Sequence, residues 1–458
     1  MRWTLIAVAL ALTAGSALAQ ATSAHATLSG DVAATDNTLS APSNAESDVY
    51  FQLRPGLLFT ADAPRQMHQL TIDAEILEYV RHSAAPSVTE RASWRGIFLP
   101  SPLSEISVGA AGGTGKLNAI TTATSPDQAP VGLLPAGPVD VRNADADEYG
   151  SRTLSPAWRI SETLAAHYTS TSDTQATRTH SGAISGGGGT EYTWKDNALG
   201  LEAGVEYLHL ERYAPNLPPG PDGSRLTREL NPHAVASWRH DFTRFWSGSA
   251  SGGVQYLQPL GSDKYNPGDV ARSGLFPLFG AQLAFVDIWG KLTLSGNRTL
   301  APNLLIAQNT ETTSGLLQLA LPLPFLDDSR RREPKLVALG TLGYEHTRLI
   351  QTDLGATDMV AAAFDVVHAD VALGYTPAPG FTYGLRYELL YQTGSQSPLA
   401  LVSTFRRNTL FLTFSFRYPA KVAVAIPKRQ NSARADRKDL APVGEEVVVP
   451  DNPNDGDR

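Results

Sequence analysis

The chain has 458 residues, with 37 Lys and Arg against 45 Asp and Glu, a formal net charge of −8 and no cysteine. This balance excludes a nucleic-acid footprint, and the missing thiols exclude disulfides, thiol catalysis, Cys-ligated zinc and a lipoprotein anchor. Outside the N-terminus no apolar run reaches the roughly 18 residues of a helical membrane span, whereas a transmembrane barrel, whose strands are half polar, stays compatible with a mean hydropathy of −0.17.

The first element is a secretory signal over 1–19. Arg2 gives the positive start, Leu5 to Leu12 the short apolar core, and Ala17-Leu18-Ala19 a small-x-small cleavage site. A second candidate cut follows Ala26. Ala19 is preferred because the next strand is expected to begin near Ala26.

Period-2 alternation then recurs along the chain. DVYFQLRPGLLFT sets Val49, Phe51, Leu53, Leu57 and Phe59 apart as apolar. In RQMHQLTIDAEILEY, Leu70, Ile72, Ala74 and Ile76 oppose Gln69, Thr71, Asp73 and Glu75. ALGLEAGVEY sets Leu199, Leu201, Ala203, Val205 and Tyr207 against Glu202 and Glu206. RFWSGSASGGVQYL carries Trp246, Val254 and Tyr256 on one parity with small residues between them. FTYGLRYELLYQ puts Phe381, Tyr383, Leu385, Tyr387, Leu389 and Tyr391 on one face. RRNTLFLTFSFRYP does the same with Leu410, Leu412, Phe414, Phe416 and Tyr418. Aromatic residues often close these runs, where an interfacial girdle would lie.

The pattern predicts strands at 26–36, 47–60, 66–80, 88–99, 104–115, 150–160, 162–172, 179–195, 198–210, 230–243, 246–257, 273–286, 288–299, 311–321, 335–347, 359–375, 381–392 and 403–418. Each is about 10 residues or longer, as a tilted strand needs to cross a bilayer. The long connections, 116–149, 211–229, 258–272, 300–310, 348–358 and 393–402, all follow odd-numbered strands. The short turns at WKDN, HDFTR, VDI and TPAPG follow even-numbered ones. Outer-membrane barrels have long outer loops and tight periplasmic turns. One connection, 322–334, is long for a turn. The fold predicted is all-β: a transmembrane antiparallel up-and-down barrel over 26–418 with about 18 strands (16 to 18) and both termini periplasmic. A large secreted sandwich or solenoid is the alternative, and no fixed repeat supports it. Beyond the barrel, 419–458 passes from a basic stretch (Lys428 to Lys438) to an acidic, Pro-containing one (Glu445 to Asp457). It reads as a disordered periplasmic tail.

In ATDNTLSAPSNAESDVYFQLRPGLLFT, Thr35-Asp36-Asn37 ends the first strand, Ser47-Asp48 opens the next, and Pro55-Gly56 is expected to bend it near its end. This segment resembles the opening of a family of outer-membrane β-barrel porins (porin-2-like) of the kind associated with polysaccharide export. The resemblance is close over about 30 residues and loose over the whole architecture. It implies a Gram-negative outer-membrane location and a passive path for a secreted polysaccharide. Outer-membrane lipid, that polysaccharide and periplasmic export components are the partners it implies. Outer-membrane barrels usually end at their last strand on an aromatic residue; Tyr418 would fill that place, although 419–458 follow it here.

Parity nominates Asp73, Glu75, Glu202, Glu206, Arg239, Lys291, Arg386, Glu388 and Arg417 as lumen-lining side chains. The plainer reading is that they solvate the interior and form cross-strand ion pairs. Asn118 to Val141 is long enough to fold inward as a constriction, or to lie outside as a surface loop. Asp145, Asp147 and Glu148 are calcium candidates in a surface loop, but the position where an EF-hand needs glutamate is Pro156. The run Gly186 to Gly189 lies in a predicted strand, so it reads as a bend or close approach rather than a phosphate cradle. No histidine sits in a nucleophile motif, and His346 lacks zinc-protease spacing, so no enzyme and no cofactor are expected. The alternatives to polysaccharide export are a general solute porin, or a structural or adhesive barrel acting through its loops or tail.

Overall fold

The computed structural model describes residues 21–38, 44–81, 87–117, 139–172, 178–213, 224–260, 273–303, 308–324, 335–350, 363–394 and 404–418. The signal segment, the segment 419–458 and most of Asn118 to Val141 lie outside these residues. The strands are β1 (Ala21–Thr35), β2 (Asp48–Ala63), β3 (Gln66–Tyr79), β4 (Ser87–Ser101), β5 (Ser104–Leu117), β6 (Val139–Ser155), β7 (Trp158–Ser172), β8 (Arg178–Trp194) and β9 (Asn197–Tyr213). They continue with β10 (Ser224–Asp241), β11 (Trp246–Pro259), β12 (Gly274–Asp287), β13 (Gly290–Asn303), β14 (Gln308–Pro322), β15 (Leu336–Leu349), β16 (Ala363–Ala378), β17 (Phe381–Gln392) and β18 (Phe405–Tyr418).

Each strand pairs antiparallel with its neighbours in sequence, and β1 pairs with both β2 and β18, so the 18-stranded sheet closes on itself. Closure satisfies the ladder at both edges, the condition for a sheet to sit in hydrocarbon. Leu53, Leu164, Leu201, Leu294, Leu373, Leu385 and Leu412 are all exposed, and each lies on the apolar parity of its strand. The apolar face of β18 therefore points away from the barrel, toward lipid. A closed antiparallel barrel with this outer belt is an outer-membrane barrel.

The tight turns lie at one end. Pro64, Pro102, Pro156 and Pro379 take the first turn position, where their fixed φ helps reverse the chain. Gly380 follows at φ 76°, and Lys195 turns at φ 49°. Beside these turns lies an aromatic band, with Trp158 against Tyr192 at 4.8 Å, Trp246 against Phe285 at 4.9 Å and Phe381 against Tyr383 at 4.5 Å. Ala21 and Tyr418, the two ends of the barrel, lie on this side, which is the periplasmic side of such a barrel.

Four expectations are corrected. The first strand begins at Ala21, five residues before 26. The sixth strand begins at Val139 and turns at Pro156-Ala157, so 139–149 is not loop and no turn falls near 161. Over 139–149 its outward residues are Asp140, Arg142, Ala144, Ala146 and Glu148, which give no apolar alternation to read. The tenth strand begins at Ser224 rather than 230. Pro55-Gly56 lies in the middle of β2, where a Cβ on Gly56 would meet Thr27 Oγ1 at 2.6 Å and Asp73 Cβ at 3.2 Å. The glycine there answers a close approach of three strands rather than a strand end.

Candidate functional site

Alternation gives the barrel an interior wall, and its densest polar region spans the seam β16–β17–β18–β1–β2–β3. Asp370 and Glu388 face each other across β16 and β17. Arg386, two residues before Glu388, reaches both: Nε lies 3.3 Å from Asp370 Oδ2, and Nη2 lies 3.5 Å from Glu388 Oε2. Arg407 on β18 approaches the other oxygen of Glu388 at 3.3 Å, and His368 Nε2 stands 3.7 Å from Glu388. The Arg386 guanidinium also lies 4.0 Å above the Phe411 ring, which packs with Tyr50, Leu77 and Ala33. Glu388 and Arg407 are each 1% exposed, so the centre of this network is desolvated. Charges so placed persist only when paired.

A second node lies on β2–β4. Glu75, itself buried, accepts from Arg54 Nε at 2.9 Å and Arg91 Nη2 at 3.1 Å. Next around the ring, β4–β8 carry looser pairs on the interior parity. Arg95 approaches Asp147 at 4.0 Å, His167 bonds Asp145 at 2.9 Å, and Arg159 meets Glu191 at 3.1 Å. Arg95 and Asp147 are each about half exposed, so solvent reaches this side of the interior.

All nine nominated residues lie on the parity opposite the exposed apolar set. Glu75, Arg386 and Glu388 are buried, Asp73, Glu206, Arg239 and Arg417 are half-buried, and Glu202 and Lys291 are exposed. The structure joins Arg386 to Glu388 and binds Glu75 to arginines that were not nominated. Arg54 and Arg91 beside Glu75, and Arg407, His368 and Asp370 beside Arg386 and Glu388, were missed. Parity could have found Asp370, which precedes the outward Val371 and Leu373, and Arg407, which shares the parity of Phe411.

The calcium candidates do not converge. Asp145 and Asp147 face the interior from β6, whereas Glu148 faces outward between Val108 and Leu164, because neighbouring strand residues point to opposite faces. Among the described residues, His368, Asp370 and Glu388 bring their ligand atoms within 4.8 Å of one another. The Arg386 guanidinium already faces the carboxylate oxygens that a metal would take, so the chain supplies its own cation there.

No family model matches the chain, and no curated protein matches it. Among solved structures it is similar to Pseudomonas aeruginosa OccK2 (OpdF) in complex with glucuronate, at 12% identity and TM-score 0.47, over 88% of this chain and 99% of that one. It is similar to Acinetobacter baumannii OccAB3 at 10% identity and TM-score 0.44, over 87% of this chain and 99% of that one. It is also similar to the alcaligin outer-membrane receptor FauA of Bordetella pertussis, at 10% identity and TM-score 0.42, over 86% of this chain and 76% of that one.

Proposed function

We propose that the protein is a passive outer-membrane porin, and that its solute is a secreted polysaccharide leaving the cell. One observation carries the pore reading: a closed 18-stranded ring whose interior wall bears half-exposed charges of both signs. A barrel of this strand number encloses an aqueous lumen unless chain fills it. Paired opposite charges along the wall orient water and hydroxyl groups without attracting one sign of ion, which suits a neutral or weakly charged hydroxylated chain. The resemblance of 34–60 to porin-2-like openings supports polysaccharide as that chain. A general solute porin would use the same wall.

The substrate reading is tested on open channels in a planar bilayer with polysaccharide fragments of graded length. The reading expects current block that deepens with chain length and is stronger from the periplasmic side. Equal, weak block by all sugars on both sides would reduce the assignment to a general solute porin.

A further inference from the structure

Outward-facing carboxylates stand in the middle of the lipid-facing belt, where hydrocarbon offers them no partner. Glu148 on β6 pairs across to Val108 and Leu164. Glu162 on β7 lies between Gly150 and Gly188. Both share the parity of the exposed Leu154, Ile160, Leu164 and Ile184. Glu162 is four residues above Trp158 of the aromatic band, or roughly 10 Å into the hydrocarbon for a tilted strand. Neither carboxylate forms an ion pair or side-chain hydrogen bond among the described residues.

The wall directly beside Glu162 is built of glycine. Gly186 and Gly188 face outward beside Leu164 and Glu162, yet a Cβ would meet nothing closer than 3.7 Å at Gly186 and 3.5 Å at Gly188. Their lack of a side chain is not imposed by this chain's own packing. By contrast, the interior-facing Gly187 would bring its Cβ to 3.0 Å from a backbone oxygen. Higher on the same wall an apolar groove of about 400 Å³ is bounded by Ala146, Ala166, Ile184 and Tyr207. Small residues that let backbones approach, with polar groups set among them, are how protein surfaces meet inside a bilayer.

We propose that the outward wall β6–β8 is a self-association surface, and that its occupant is a second copy of this chain. Charge complementarity selects that occupant. The exposed Arg152 lies on the same outward parity, paired with Ile160, one ladder step from the Gly150–Glu162 pair. A two-fold contact presents the same patch from both sides, so Arg152 of one copy meets Glu162 of the other, and the reverse. The inference is independent of the pore reading, since either can hold without the other.

The cysteine-free chain allows a direct test. Gly186→Cys on this wall and Leu385→Cys on the outward face of β17 are each oxidised in native outer membranes, with heat-modifiable gel migration confirming folding. A disulfide-linked dimer from Gly186→Cys but not Leu385→Cys is expected, and it should disappear when Glu162→Gln is added. Ala166→Cys replaces Gly186→Cys if that variant misfolds. No linked dimer at either position, equal linking at Leu385→Cys, or linking only to a different protein would overturn the proposal.

Discussion

Arg386→Met removes the centre of the buried network while keeping a side chain of similar length. It deletes the 3.3 and 3.5 Å contacts to Asp370 and Glu388 and the stack on Phe411 at 4.0 Å. Glu388 keeps Arg407 and His368, but Asp370, 3% exposed, loses its arginine partner and still faces Glu388 across the ladder. Breaking a buried pair from one side costs about 3–5 kcal/mol, most of it from the carboxylate left behind. The assay is reversible urea unfolding in lipid or detergent, followed by tryptophan emission and by the folded band on unheated gels. Adding Asp370→Asn should recover the larger part of the loss, because it removes the stranded charge, and the double-variant cycle should show strong coupling. A cost below about 1 kcal/mol with no recovery, as for a solvated pair, would refute the claim that this seam is dry and held by its ion pairs.

Three further expectations follow from the same parity. Leu412→Arg, on the lipid face, should destabilise the barrel by about 2–4 kcal/mol, whereas Thr413→Arg, one residue on and facing inward, should cost far less; urea midpoints for the two decide it. Gly56→Val must displace Thr27 or Asp73 and should cost about 1–3 kcal/mol, measured the same way, while the open Gly252 should accept alanine with little change. Arg95→Gln should shift the reversal potential under a salt gradient toward cation selectivity with little change in stability, since Arg95 and Asp147 form only a long, half-exposed pair.

The barrel was legible because lipid enforces alternation. Wherever the outward residues are large, as Leu410, Leu412, Phe414 and Phe416 are on β18, the strand and its face could be read directly. The reading failed where that rule is relaxed. On the first part of β6, 139–149, the outward set is Asp140, Arg142, Ala144, Ala146 and Glu148, so that part passed for loop and its acids for calcium ligands. That failure marks the same wall now assigned to a second copy. The interior residues were readable as a face but not as contacts. Which arginine meets which carboxylate depends on register between strands, and Arg54, Arg91 and Arg407 reach Glu75 and Glu388 from strands whose pairing no local pattern states.

The central claim is an open aqueous path through the ring. Its most direct test is single-channel recording of the refolded protein in a planar bilayer, with heat-modifiable migration confirming the folded barrel. The account predicts large, stable conductance steps that scale with bulk salt. A correctly folded barrel that carries no current would contradict it.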